Sequence, residues 1–99
     1  MTNSEISQIF TDIAAILKLK KENIFKIRAY EKVARSIAEL KEPVAKLVTE
    51  DRLKEIPGAG DAIQKKLTEI VNTGKLAFYE KLKAEFPQRA NSTPVKGSV

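Results

Sequence analysis

Residues 56–61 read Ile-Pro-Gly-Ala-Gly-Asp and run directly into the amphipathic stretch 62–71, Ala-Ile-Gln-Lys-Lys-Leu-Thr-Glu-Ile-Val. Pro57 fixes its own φ and disfavours helix at the residue before it, so the preceding element should end there. Gly58 and Gly60 permit positive φ and leave the backbone bare, so another molecule can approach it closely. The stretch therefore predicts a tight hairpin that opens a helix.

The start of this helix has the features of an anion-binding site. Asp61 is predicted to be its N-cap, with Gln64 completing a pair of the capping-box type. The first amides of a helix are unpaired and lie at the positive end of its dipole, and Lys65 and Lys66 lie one turn inside. This layout is typical of a helix-hairpin-helix motif, whose hairpin amides hold a nucleic-acid phosphate. The alternative is an ordinary turn between two helices.

Composition limits the classes of protein to which the chain can belong. Its 99 residues suffice for one small domain, and 42% hydrophobic residues suffice for a core. The net charge of +5 and the pI of about 9.5 favour an anionic partner. The absence of Cys and His excludes disulfides, thiolate metal sites and nucleophile–histidine catalysis. No apolar run approaches the roughly 20 residues of a membrane span, so we expect an intracellular protein without membrane contact.

Hydropathy periodicity predicts an all-α fold, a small four-helix domain plus a short helix, with one helix-hairpin-helix motif. We expect the domain over residues 1–87 and a disordered tail or linker stub over residues 88–99, which are polar and aperiodic. The predicted helices span residues 5–19, 24–40, a short stretch after Pro43, a brief turn at 52–55 capped by Asp51, the helix after the hairpin ending at Gly74, and 75–86 stopped by Pro87. Thr2, Asn3 or Ser4 can cap the first helix, Thr2 with Glu5 has capping-box spacing, and Asn23 is the predicted cap of the second.

Lys26 interrupts the apolar stripe of the second helix. It falls near the inward face, one turn before Tyr30. Two interpretations remain open at this point. In the first, Lys26 extends its charged end to water. In the second, Lys26 and the Tyr30 hydroxyl lie at a rim and share an anion.

Lys66 occupies the flank of the buried stripe after the hairpin, whereas Lys65 points toward solvent. Partial desolvation and neighbouring cations, with Lys54, Lys65 and Lys26 as candidates, would favour a neutral amine. A neutral lysine can attack an aldehyde and form a Schiff base. The simpler interpretation is a lysine that binds phosphate or extends to water, and the spacing alone favours it.

Three stretches resemble, in order and spacing, the amino-terminal domain of family X DNA polymerases, which DNA polymerase beta and bacterial and archaeal members carry. The similarity covers about residues 5–87. The three stretches are 23–37 (Asn-Ile-Phe-Lys-Ile-Arg-Ala-Tyr-Glu-Lys-Val-Ala-Arg-Ser-Ile), 53–60 (Leu-Lys-Glu-Ile-Pro-Gly-Ala-Gly) and 73–76 (Thr-Gly-Lys-Leu).

The resemblance implies a four-helix domain that binds gapped DNA near the downstream 5′ phosphate. In beta-type members it also implies 5′-deoxyribose-phosphate lyase activity, with the Schiff-base lysine falling on Lys66. The family's 5′-phosphate pocket uses a lysine and a tyrosine that match Lys26 and Tyr30, and a further lysine matches Lys54. The hairpin of family members also holds a monovalent cation, Na⁺ or K⁺, through backbone carbonyls that match Lys54, Ile56 and Ala59. No other cofactor is implied.

The chain departs from the family at several of these positions. A phosphate-pocket lysine falls on Ala62, and Lys65 or Arg28 is then the candidate to supply its charge. An acidic residue falls on Lys65. A base-stacking histidine falls on Phe25, which can still stack on a base. The elimination step would need Glu69, a neutral amine or water as proton acceptor.

Three hypotheses follow from these observations. The first is a structure-selective DNA-binding module for gapped or nicked DNA, of DNA repair or replication type, with contacts through Gly58, Gly60 and the nearby lysines. The second is the same module with lyase activity through Lys66, and the third is a protein-interaction domain that has kept the fold. We expect a monomer whose partner is DNA with gaps, nicks or single-stranded ends, together with a polymerase or repair protein. The sequence contains no catalytic aspartate set, so we expect no polymerase activity from this chain alone.

Overall fold

The computed structural model describes residues 1–86, and all regular secondary structure in that range is helical. The predicted tail and Pro87 lie outside the described residues. Five α-helices and one 3₁₀ turn are present, which confirms the all-α fold. They are α1 (Asn3–Leu19), α2 (Ile24–Ala38), α3 (Val44–Thr49), the 3₁₀ turn (Leu53–Glu55), α4 (Asp61–Thr73) and α5 (Ala77–Glu85).

Local hydrogen bonds explain where the first two helices begin. At α1 the Thr2 hydroxyl accepts the Glu5 amide at 3.1 Å, and the Glu5 carboxylate accepts the Thr2 amide at 2.8 Å. This is the predicted capping box. At α2 the side-chain oxygen of Asn23 accepts the Phe25 amide at 2.7 Å. Both predicted caps are therefore confirmed.

The core lies between α1 and α2 and is closed by the later helices. In the described residues every buried side chain is hydrophobic, apart from the Tyr30 hydroxyl group. Tyr30 stacks on Phe10 of α1, with ring centroids 5.8 Å apart, and on Phe78 of α5 at 6.1 Å. This aromatic ladder of Phe10, Tyr30 and Phe78 packs the start of α5 against α2 and places it beside α4.

Two predicted caps are wrong. Asp61 is the first residue of α4, and the N-cap is Gly60, in extended backbone at φ −74° and ψ 179°. The Gln64 side chain donates to the Ala59 carbonyl at 2.8 Å and its backbone amide donates to the Gly60 carbonyl at 2.9 Å, so Gln64 takes no part in a capping box. Asp51 does not cap the brief turn either, because it takes a left-handed conformation (φ 55°) that ends α3.

Left-handed residues at helix ends give a stability prediction. Gly74 ends α4 at φ 77°, as predicted, and Lys21 follows α1 at φ 60°. A side chain in this region costs about 1–2 kcal/mol, whereas glycine adopts it freely. Urea denaturation should therefore show Lys21→Gly raising the free energy of unfolding by about 0.5–1 kcal/mol. Gly74→Ala should lower it by about 1 kcal/mol, and a stabilising Gly74→Ala would contradict the assignment.

Arg52 organises an ion-pair cluster that joins α3 to the turn before the hairpin. Its guanidinium contacts Glu42 at 2.9 Å, Glu55 at 3.0 Å, and Glu50. Hydrogen bonds from Arg52 lower the pKa of the Glu55 carboxyl, and hydrogen bonds from Arg52 and Lys46 lower that of Glu42. The cluster therefore fixes the approach to the hairpin by charge.

This cluster should make stability depend on pH in the acid range. The lowered pKa values mean that the folded state binds fewer protons than the unfolded chain, whose glutamates titrate near 4.5. The stabilisation is thus complete above pH 4.5 and is lost as the pH falls through the folded-state values. We expect the wild type to have a higher thermal midpoint than Arg52→Met at pH 7, with the difference shrinking between pH 4.5 and 2. A difference that is constant with pH would show that the ion pairs contribute nothing.

Candidate nucleic-acid interface

The hairpin is a tight turn between the 3₁₀ turn and α4. The Ala59 amide donates to the Ile56 carbonyl at 3.0 Å, and Gly58 has φ 88°. Gly58 therefore uses the conformational freedom predicted for it, whereas Gly60 does not. A Cβ atom on Gly60 would meet no atom within 4 Å, so the space beside Gly60 is open.

Free backbone amides lie on both sides of Gly60 along the chain. Within residues 1–86 the amides of Gly58, Asp61, Ala62 and Ile63 donate to no acceptor in the protein. The last three are the first turn of α4, where the helix dipole is positive. The hairpin therefore presents uncovered donors and partial positive charge to solvent, as the sequence predicted.

Helix α2 supports the hairpin at two successive turns. The Ser36 hydroxyl donates to the Pro57 carbonyl at 2.9 Å. One turn earlier, a Cβ on Gly58 would lie 3.2 Å from Cγ and Cδ of Lys32, so the aliphatic part of Lys32 lies along the hairpin backbone. The hairpin is thus fastened to α2.

An open depression of about 450 Å³ lies beside the first turns of α4. Two lysines contribute to it. Lys65 is exposed, whereas Lys66 is half-buried, in agreement with their positions on the predicted helix. The lining residues are Asp61, Ala62, Lys65, Lys66, Glu69, Leu76 and Phe78.

Lys66 has an aromatic neighbour that was not predicted. Its Nζ lies 4.8 Å from the centroid of the Phe78 ring, in a cation–π contact. Lys65 lines the same depression, but Lys54 and Lys26 do not. The ring of Phe78 is itself held by Tyr30. The position of the Lys66 amine is therefore set by the aromatic ladder.

Glu69, a candidate proton acceptor, has a structural contact. One of its carboxylate oxygens accepts the Ala77 amide at 2.7 Å and thereby caps the start of α5. It also lines the depression. Glu69 makes no ion pair with Lys66 in the described residues, so its main visible role is to fix α5 against α4.

The two residues matched to the 5′-phosphate pocket differ in environment. Lys26 is exposed and pairs with no acidic group in residues 1–86. Tyr30 is 5% exposed, and burial raises the pKa of its phenol. The Tyr30 hydroxyl has no hydrogen-bond partner in the described chain, yet it is not sealed from solvent. The exposed charge of Lys26 agrees with both interpretations of this residue, because an anion shared with Tyr30 would also require it to be accessible.

The remaining predicted contact residues are on the surface. Phe25 is 74% exposed at the start of α2, which is unusual for a phenylalanine. Arg28, one turn further along α2, and Lys54, in the 3₁₀ turn, are exposed as well. Neither Arg28 nor Lys54 forms an ion pair within residues 1–86, so both charges are free to meet an anionic partner. The ring of Phe25 has no charge and is exposed.

The backbone carbonyl groups that match the family's cation site are of a type that can bind Na⁺ or K⁺. The Ile56 carbonyl accepts the Ala59 amide, and the Ala59 carbonyl accepts the Gln64 side-chain amide at 2.8 Å. A carbonyl oxygen has two lone pairs, so each retains one for a ligand. Backbone carbonyls are the donors that hold Na⁺ and K⁺ in proteins.

Sequence reasoning did not find Phe78, Ser36 or Lys32 as parts of this region. Phe78 and Tyr79 are adjacent and both pack, partly buried, against the core, so the helical pattern of α5 does not single out Phe78. The Ser36 and Lys32 contacts join segments more than twenty residues apart and leave no local pattern. They follow only from the packing of α2 against the hairpin.

Within residues 1–86, no helix has the length and hydrophobicity that a membrane span requires.

The hairpin geometry agrees with a comparison of the sequence against known protein families. The family model described as a helix-hairpin-helix domain matches residues 1–76, which is most of the chain and includes the hairpin with the whole of α4. Domains of this class commonly bind DNA. The chain therefore belongs to the helix-hairpin-helix domain family.

Proposed function

We propose that this domain binds DNA at gaps or nicks, on the 5′-phosphate side of the break, and does so by structure rather than by sequence. The observation that carries the proposal is the open space beside Gly60, together with the free amides of Gly58 and of the first turn of α4 on either side of it in the chain. Amides held in this way can donate to a phosphate, and the bare backbone allows the phosphate to approach. These contacts contain no base-reading group, which supports structural selectivity.

Charge around the hairpin supports the same proposal. Lys54 and Lys65 are exposed on either side of it, and Lys66 lies in the adjoining depression. Cations that neutralise phosphates release counterions from DNA, so affinity should fall steeply with salt. The resemblance to family X polymerases adds Lys26 and Tyr30 as ligands for the 5′ phosphate, and Phe25 as a stacking surface for a base.

The experiment compares one-nucleotide-gapped, nicked and intact duplexes of the same sequence in fluorescence-anisotropy titrations. Each broken duplex is prepared with a 5′ phosphate and with a 5′ hydroxyl. We expect the gapped, phosphorylated duplex to bind tightest and the intact duplex weakest. Equal affinity for all forms would leave a general DNA-binding domain, and no binding at low salt would exclude DNA as the partner and favour the protein-interaction hypothesis.

A second candidate function is 5′-deoxyribose-phosphate lyase activity through Lys66. Its amine would add to the C1′ aldehyde and lose water, forming an imine. Removal of a C2′ proton then breaks the C3′–O bond, the downstream strand leaves with its phosphate, and water releases the lysine. The observation in favour is that Lys66 lies half-buried in an open depression beside the hairpin.

Two contacts make this the second candidate rather than the first. The face of Phe78 attracts an ammonium group, so Lys66 has to leave the ring and lose a proton before it attacks. Glu69 already accepts the Ala77 amide, so a proton taken from C2′ would weaken the bond that caps α5 unless water takes it instead. The binding function requires neither change.

We also propose a Na⁺ or K⁺ ion at the carbonyls of Lys54, Ile56 and Ala59 during DNA binding. An ion there would neutralise phosphate charge at the hairpin. At equal ionic strength, replacing KCl with tetramethylammonium chloride should then weaken binding, because that cation is too large for the carbonyls. Identical titration curves in the two salts would exclude the ion.

A further inference from the structure

The outward edge of α2 carries cations that neither the hairpin motif nor the phosphate pocket includes. Lys32 and Arg35 are exposed, and neither forms an ion pair in residues 1–86. Glu31, the acidic residue between Arg28 and Arg35, forms its ion pair with Lys18 at 2.9 Å, and the charges of both arginines also lower the pKa of its carboxyl. Glu31 therefore offsets part of the charge of Arg28 and Arg35, whereas Lys32 pairs with no acidic group in residues 1–86.

Lys32 lies at the point where this edge meets the hairpin. Its Cγ and Cδ atoms would be 3.2 Å from a Cβ on Gly58, so its stem lies along the backbone that carries the free Gly58 amide. Ser36, one turn later, bonds to the Pro57 carbonyl. These two contacts fix which face of α2 lies beside the hairpin, and the ammonium group of Lys32 is left in solvent next to it.

The spacing of the edge suits a nucleic-acid strand. Arg28, Lys32 and Arg35 follow one another at roughly one helical turn, and at 1.5 Å per residue they extend over about 10 Å. One DNA strand advances about 3.4 Å per phosphate along the helix axis, so an edge of this length can accompany about three phosphates. A strand held by the hairpin amides can thus continue along α2.

From these contacts we propose that the edge of α2, Lys32 with Arg35 and Arg28, is a second phosphate-binding element that extends the hairpin site along the same DNA strand. Lys32 is the junction of the two elements. This inference rests on the proposed DNA-binding function. The inference adds Lys32 and Arg35 as DNA ligands and increases the length of DNA strand that the protein is expected to contact.

The test measures the affinity of the protein for gapped DNA at several salt concentrations in Lys32→Met. Methionine keeps an apolar stem against Gly58 and removes only the charge. The matched control is Lys46→Met, because Lys46 is also exposed but already pairs with Glu42 at 3.1 Å. Thermal midpoints of both variants, measured alongside, show whether folding is intact.

We expect the slope of log K against log salt to become shallower by about 0.7–0.9 in Lys32→Met, the value for one phosphate contact, and to stay unchanged in Lys46→Met. Arg35→Gln should have the same effect as Lys32→Met. An unchanged slope in both α2 variants, with DNA still bound in the wild type, would overturn the inference and leave the proposed function standing. Absence of binding by the wild type at low salt would overturn both.

Discussion

Gly60→Ala should weaken binding to gapped DNA about tenfold while the domain stays folded. The alanine Cβ would meet no protein atom within 4 Å, and φ −74° is allowed to any residue, so the native structure can accept it. The methyl group would instead occupy the space where a phosphate approaches the free amides. Loss of charge-assisted hydrogen bonds there costs about 1.5–3 kcal/mol, which corresponds to at least tenfold in affinity. Anisotropy titration measures the change.

Gly74→Ala is the matched control, because Gly74 ends the same helix about 20 Å from the hairpin. It should lower stability more than Gly60→Ala does, since it forces alanine to a positive φ, yet it should leave the affinity unchanged. If both variants lost affinity in proportion to their stability, the effect would come from folding and not from the hairpin. If neither lost affinity, the phosphate would have to lie elsewhere.

Lys66→Arg should abolish any covalent adduct with DNA that carries an incised abasic site, while non-covalent binding is retained. Arginine keeps the positive charge but remains protonated, so it cannot form an imine with the aldehyde. Borohydride reduces an imine to a stable amine, and the trapped protein–DNA complex is then counted on a denaturing gel. The adduct is expected with the wild type only if the lyase function is present.

Lys65→Arg serves as the control, since Lys65 lines the same depression but is fully on the surface. It should trap as well as the wild type. An adduct that survives Lys66→Arg and disappears in Lys65→Arg would move the nucleophile to Lys65. Survival in both would point to Lys54 or Lys26. No adduct from the wild type, with gapped DNA bound, would leave a binding domain without the chemistry.

The local parts of this fold could be predicted because each is decided by neighbouring residues. Thr2 with Glu5 and Asn23 provide the helix starts, and Gly74 provides a left-handed end. The hairpin follows in the same way from Pro57 and its two glycines. Periodicity also separated the half-buried Lys66 from the exposed Lys65, because a helix turns by a fixed angle per residue.

The two wrong predictions concern helix caps, where neighbouring residues compete for one position with similar energies. Asp61 is a good N-cap by residue type, yet Gly60 takes that position, because its carbonyl accepts the Gln64 amide and so begins the helix one residue earlier. Asp51 could have capped the next turn, but its backbone ends α3 in a left-handed conformation. Choices of one residue at a helix boundary are decided by such hydrogen bonds, which the sequence pattern does not resolve.

The surroundings of Lys66 could not be predicted because they depend on tertiary packing. The aromatic ladder of Phe10, Tyr30 and Phe78 places the start of α5 beside α4. This packing is what brings the Phe78 ring into contact with the Lys66 amine. The predicted neighbours Lys54 and Lys26 do not line the depression. The sequence therefore indicated which lysine is partly desolvated, but not which group would contact it.

The same packing links the core to the proposed DNA-binding surface. The hairpin is held by Ser36 and Lys32 of α2, and α2 is held by its contacts with α1. The Arg52 cluster fixes the segment that precedes the hairpin. The free amides are thus positioned before DNA arrives, which reduces the ordering cost of binding.

Phosphate binding at the hairpin can be observed directly in a two-dimensional ¹H–¹⁵N NMR titration of the protein with gapped DNA that carries a 5′ phosphate. We expect the largest shifts at the amides of Gly58, Asp61, Ala62 and Ile63, which have no acceptor in the described chain. Shifts confined to the 660 Å³ groove between α1 and α2, around Ala15 and Ala34, with the hairpin amides unmoved, would contradict phosphate binding at the hairpin.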